Sequence, residues 1–232
     1  MTFGSSFGRV FSPTFQPKSQ AAASSADTWW DLNGAITSCV AAYQPKGAAD
    51  YAASKVNLAN PGTNDLTTTD APTWNATDGW IFNGSKFLDT AIVPAAANWS
   101  MIVRFSNGSA GTYTAVGMQQ ETIGNRFYLR PQHNSSSHIY GYGSNGNIVT
   151  GALTSGVMAL AGVKSYLNGS PEAADGSGIW SAGTNWSIYI GGSHNNAGLA
   201  YGFIGYIQAV AIYNAQISAA NVAALTTAMA AL

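Results

Sequence analysis

The sequence predicts an all-β fold, a sandwich or barrel of antiparallel strands with an extended N-terminal arm and a short C-terminal helix. Three observations predict it. Short runs rich in β-branched and aromatic residues follow one another, Gly- and Asn-rich turns separate them, and no long helical period interrupts them before the C-terminus.

Residues 1–28 read as the arm and its linker. The opening MTFGSSFGRVFSPTFQP spaces Phe3, Phe7, Phe11 and Phe15 four residues apart, which puts the rings on one side of either a helix or a strand. Gly4, Gly8 and Pro13 disfavour a helix interior, so the arm reads as extended. Ring burial alone does not offset the entropy of ordering such a segment. It is either a frayed tail or a segment held by a partner that offers apolar pockets and a sheet edge. The partner reading makes the four phenylalanines partner-binding residues, with sister subunits or other proteins of an assembly as partners. The QAAASSAD stretch then reads as a linker, and the domain, residues 29–232, starts at Trp29.

The strand candidates are SCVAAYQ, GWIFNG, WSMIVRFS, TYTAVGMQ, NRFYLRPQ, HIYGYG, VMALAG, KSYLNGS, WSIYIGG and FIGYIQAVAIYN. Asn168-Gly169 suits the two positive-φ positions of a type I′ hairpin, and Asn83-Gly84 is a second candidate. Strict alternation over 203–213 puts Phe203, Gly205, Ile207, Ala209, Ala211 and Tyr213 on one face and Ile204, Tyr206, Gln208, Val210 and Ile212 on the other. Both faces are largely apolar, so this strand belongs in the middle, under the opposing sheet on one side and a helix or loops on the other. Ser218 is placed to cap a terminal helix with Val222 and Leu225 inward, and a second short helix fits DYAASKVNLAN.

Charged residues are 8% of the chain and the net charge is −1, with nine Lys and Arg scattered singly. This argues against nucleic-acid binding and electrostatic membrane attachment. The start shows no basic region followed by an apolar one, so no export signal is expected and the Asn-x-Ser/Thr triplets are expected to stay unmodified. The single cysteine, Cys39, reads as a small buried hydrophobe.

The succession GWIFNGSKFLDT, WSMIVRFS, KSYLNGSPEAA, WSIYIGGSHNN and FIGYIQAVAIYNAQISAANVAAL resembles the concanavalin A-like jelly-roll domain of the laminin-G type over residues 35–232. Its most specific part is the glycine-flanked strand into Ile212-Tyr213-Asn214, followed by the Ile217-Ser218 helix start. Asn221 stands where the family often has an acid. CVAAYQPKGAADYAASKVNLANPG also resembles similar domains in tailed-bacteriophage virion proteins. The resemblance implies a jelly-roll β-sandwich and admits lectins, glycan-degrading enzymes, adhesion modules and virion components, so each needs its own residues.

Glycosidases need two carboxyl groups facing across a cleft, and those of this fold resemble a Glu-x-Asp-x-x-Glu strand absent here. Glu121 and Glu172 sit in loop-like contexts, and Asp50, Asp65, Asp70, Asp78, Asp89 and Asp175 read as turn residues. No G-x-S-x-G elbow occurs, and His133, His138 and His194 read as solvated loop residues, the first two flanking an NSSS tip. The resemblance makes calcium a candidate cofactor, with no ligand assigned. For a glycan, RFYLRPQHNSSSHIYGYG offers Tyr128, Arg130, His138, Tyr140 and Tyr142, with the three tyrosines and Arg130 expected to face outward and Phe127, Leu129 and Ile139 inward. The SHNNAG loop adds Asn195.

The leading expectation is a non-enzymatic structural component of a phage-like virion, a capsid decoration or tail-fibre subunit, homo-oligomeric, assembled in a host cytoplasm and acting outside it. The alternative is a lectin-like module recognising a cell-surface glycan. Changing Phe7 and Phe11 to Ser is expected to abolish incorporation into the particle while leaving the domain's melting curve intact; undiminished co-purification with the particle would contradict the arm's anchoring role.

Overall fold

The computed structural model describes residue 1 and residues 28–95, 98–172, 178–183, 185–196 and 198–232. Phe3, Phe7, Phe11 and Phe15, with the arm they belong to, lie outside the described residues, as does Asp175. In chain order the elements are β1 (Cys39–Tyr43), α1 (Tyr51–Ser54), β2 (Thr73–Asn75), β3 (Gly79–Asn83), β4 (Leu88–Asp89), β5 (Ser100–Ser106), β6 (Val116–Gln120), β7 (Asn125–His133) and β8 (Ser137–Gly143). Then come β9 (Asn145–Thr150), β10 (Gly156–Ala161), β11 (Lys164–Leu167), β12 (Ser170–Pro171), β13 (Tyr189–Ile190), β14 (Ser193–Asn195), β15 (Gly198–Ala200), β16 (Ile204–Tyr213) and α2 (Ala219–Ala230).

They form a jelly-roll β-sandwich of two eight-stranded sheets. The first runs β12-β11-β10-β5-β16-β3-β2, with β1 also on β16; the second runs β15-β14-β6-β7-β8-β9, with β13 on β6 and β4 on β13. Strand pairs are antiparallel except β14 with β6. Between the sheets lies one core, including Tyr43, Trp80, Phe82, Phe105, Phe127, Leu129, Ile190 and Phe203. A second cluster lies on the other face of the first sheet, where Val222, Leu225 and Met229 of α2 meet Ile102, Ala209, Ala211, Tyr213 and Trp29.

Strand β16 is therefore covered on both faces, as its sequence requires. The alternation differs from strict period two, because the register against β5 slips between Ile207 and Ala209. This bulge leaves Gln208 as an extra residue, so Ile207 and then Val210 and Ile212 face the inter-sheet core while Ala209, Ala211 and Tyr213 face α2. The small alanines let the helix approach, and the large residues fill the sandwich. Gly79, with φ of +85°, lies against the bulge, where an added Cβ would stand 2.4 Å from the Ile207 carbonyl oxygen.

Helix α2 begins where Ser218 accepts a hydrogen bond from the Asn221 N–H at 3.1 Å, and its last turn is held by Arg104, whose Nη1 donates to the Met229 carbonyl. The first helix is only one turn, capped by Asp50, which accepts from Ala53 N–H at 2.7 Å. Asn168 and Gly169 both have positive φ and close the β11–β12 hairpin, as their types predict. Asn83-Gly84 closes no hairpin: Gly84 N–H donates to the Phe203 carbonyl instead, so the pair only extends the β3 edge along the β16 side. The sequence reading missed β2, β4, β9, β14 and β15, four of them only two or three residues long.

Leu225→Ala is expected to destabilise the protein by about 2–5 kcal/mol, and Ser218→Ala by about 1 kcal/mol. Urea unfolding followed by tryptophan fluorescence measures both.

Candidate functional site

Pairing registers place a row of residues across the outer face of the second sheet. Thr67 pairs with Asp89, Asp89 with Tyr189, Tyr189 with Gly117, Gly117 with Tyr128, Tyr128 with Gly141, and Gly141 with Gly146. Directly opposed residues share a face, so the row has polar and aromatic groups at one end and a glycine floor at the other. Strand spacing sets the Tyr189 and Tyr128 backbones about 10 Å apart.

At the first end is an open cleft of about 310 Å³ lined by Thr67, Thr68, Thr69, Phe87, Asp89 and Tyr189. Its apolar wall is part of an aromatic stack. Phe87 lies on Tyr189 with centroids 4.4 Å apart, Tyr189 on His194 at 4.0 Å, and Trp186 on His194 at 5.2 Å. Thr68 Oγ1 accepts from the Asp70 N–H at 2.9 Å, while Thr67 and Thr69 are exposed. Asp89 accepts from Ala91 N–H at 2.8 Å, which fixes its carboxylate at the rim. Burial depresses the His194 pKa from its ordinary value, more than the nearby Ser187 carbonyl and Asp89 carboxylate raise it.

The glycine floor carries a second stack. The Tyr128 ring lies flat over Gly141, where an added Cβ would come within 2.6 Å of ring atoms. The Arg130 guanidinium sits 4.6 Å from the Tyr128 centroid and 4.0 Å from that of Tyr201, held between two rings. Arg130 Nε donates to Thr114 Oγ1 at 3.0 Å, and Nη2 is buried with no acceptor among the described residues.

Of the expected glycan residues, Tyr128 and Arg130 come together on the outer face, although each is only 4% exposed. The expectation of an exposed tyrosine platform is corrected for the rest. Tyr140 pairs with Leu129 and Tyr142 with Phe127, so both tyrosines face the core, while Ile139 opposes Arg130 on the outer face. An extra residue at the β7 bulge between Arg130 and His133 shifts β8 by one position, and one position exchanges the faces. His138 is also turned inward, so it does not approach His133. It is buried rather than solvated, with Nε2 2.9 Å from Glu172 Oε2, Nδ1 facing the Gly151 carbonyl, and Tyr140 donating to the same carboxylate oxygen at 2.5 Å. Burial, then Glu172, pushes the Tyr140 phenol far above its ordinary pKa.

SHNNAG is not a loop but the β14–β15 hairpin. Asn195 is half-buried at its edge, and its Nδ2 donates to Glu121 Oε1 at 2.9 Å. Tyr201, Thr114, Phe87 and Tyr189 were missed. Tyr201 and Tyr189 stand beside glycines in GLAYG and YIGG, a signal for close packing but not for which ring covers which strand.

Asp50, Asp65 and Asp89 accept backbone N–H groups of their own turns, and Asp70 pairs with Lys86 at 3.5 Å. Cys39 is half-buried, and burial pushes its thiol up to about 12. Among the described residues no three His, Cys, Asp or Glu side chains cluster to hold a metal.

No protein-family model matches the chain, and no curated protein matches it in sequence. Its fold is similar to several solved structures. A Trypanosoma rangeli sialidase mutant displaying trans-sialidase activity matches with a TM-score of 0.55 at 15% identity, over 83% of this chain and 33% of that one. The T. rangeli sialidase in complex with sialic acid matches with a TM-score of 0.55 at 15% identity, over 82% and 32%. This chain thus spans about a third of the sialidases. Domain 4 of AbnA, a GH43 extracellular arabinanase from Geobacillus stearothermophilus, in complex with arabinotriose, matches with a TM-score of 0.55 at 15% identity, over 81% of this chain and 98% of that one. At this identity the likeness shows the fold.

Nuclear magnetic resonance titration is expected to place the His194 midpoint below 6.5. With the folded value depressed, this ring's contribution to stability is present above the unfolded-state pKa and is lost as pH falls through the folded one. A midpoint at or above 6.5 would show that the stack does not bury the imidazole.

Proposed function

We propose that this chain is a non-catalytic carbohydrate-binding module. The carrying observation is the cleft of the second sheet, where stacked Phe87 and Tyr189 form an apolar wall beside Thr67, Thr69 and Asp89. Aromatic surface takes the C–H face of a sugar ring, while threonine hydroxyls donate to or accept from its hydroxyls and a rim carboxylate accepts from them. Among the described residues Asp89 is the one carboxylate lining this cleft, which supports binding over hydrolysis, since a glycosidase places two across its scissile bond. The similarity to a sandwich domain crystallised with arabinotriose and to part of a sialidase supports the same reading.

The virion role expected from the arm and the composition has no counterpart among these similar structures, and the glycan reading takes precedence over it. A glycan array probed with the multimerised protein is expected to show binding. In titration calorimetry against a glycan so found, Phe87→Ala and Tyr189→Ala should each weaken affinity by about tenfold or more, equivalent to roughly 1.4 kcal/mol. Absence of binding to every glycan, or full affinity in both variants, would overturn the proposal.

A further inference from the structure

We infer that the glycan taken by the outer face of the second sheet is acidic, and that Arg130 holds its carboxylate or ester sulfate. This rests on the carbohydrate-binding reading above. Arg130 is 4% exposed, and its buried Nη2 has no acceptor among the described residues. The groups around its charge are two rings and a hydroxyl: Tyr128 and Tyr201 face its flat surfaces, and Thr114 takes the Nε–H. The rings cannot accept the in-plane Nη2–H, and none of these neighbours carries a negative charge. Ion pairs among the described residues join Lys86 to Asp70 and His138 to Glu172, and neither involves Arg130.

Such a burial is unfavourable unless an anion completes it. A sugar hydroxyl would satisfy the N–H and leave the charge unpaired, whereas a carboxylate or sulfate does both. Charge on the rest of the face is divided, with Asp89 at the far end of the row and Arg126 at the end that holds Arg130. Arg126 stands four residues earlier on the same strand face, its Nη1 donating to the Ser144 carbonyl at 2.6 Å. In a chain whose charged residues are 8%, two cations four residues apart on one strand face make this end of the row more positive than the end that holds Asp89. The wall able to give way is Tyr201. It is 41% exposed, with φ of +53°, on the connection between β15 and β16, and its ring lies over one face of the guanidinium.

The test uses the full chain on an array of oligosaccharides bearing glucuronate, galacturonate or ester sulfate, each beside its uncharged parent. The wild type is expected to prefer the acidic member by at least about tenfold, the carboxylate and sulfate arms separating the two anions. Arg130→Gln is expected to erase that preference while keeping binding to the neutral parents. Arg130→Lys, which keeps charge and stem, is expected to retain part of it. Melting curves check that both variants fold, and the wild-type comparison decides the matter even where Arg130→Gln does not. Equal binding of acidic and neutral partners by the wild type, or an unchanged acidic preference in folded Arg130→Gln, would overturn this inference alone. A blank array would remove the carbohydrate-binding reading along with it.

Discussion

Strand β16 is apolar on both faces, and its burial under two different layers organises the rest of the molecule. One face joins Trp80, Phe105 and Phe203 between the sheets, while the other presents Ala209, Ala211 and Tyr213 to α2. A single strand cannot hide two faces with one sheet. The terminal helix and the Trp29 segment are the second cover, and Tyr213 ties them by donating to the Trp30 carbonyl at 2.8 Å. The bulge at Gln208 sorts large residues inward and small ones toward the helix, and Gly79 makes room for it.

With the first sheet covered on both sides by described residues, the proposed carbohydrate site lies on the outer face of the second sheet. Its surface is built by subtraction as much as by addition. Gly117, Gly141 and Gly146 let the Tyr128 ring lie flat on the backbone, and Arg130 rests on that ring beneath Tyr201. At the sheet's other edge, Tyr189 stacks between Phe87 and His194, which cover both faces of its ring, and Phe87 is the half-buried outer member of the stack. The inward turn of His138 has a structural use: with Tyr140 it binds Glu172, which follows β12 of the first sheet, so the pair links the two sheets at their margin.

Residue type and local spacing were enough to determine the all-β class, the central place of β16, the Ser218 cap and the Asn168-Gly169 hairpin, because turn chemistry and hydrophobic period act over a few residues. They also placed Tyr128 and Arg130 on an outward face. Which face Tyr140, Tyr142 and His138 take was decided only by the tertiary structure, since one extra residue in the β7 bulge reverses every side chain after it and leaves no mark in the pattern of polar and apolar residues. The cleft was equally out of reach. Phe87, Tyr189 and Thr67 are brought together by two pairings, Thr67 with Asp89 and β4 with β13, between segments far apart in the chain, and such pairings are fixed by the packing of the whole sandwich rather than by any neighbour in sequence.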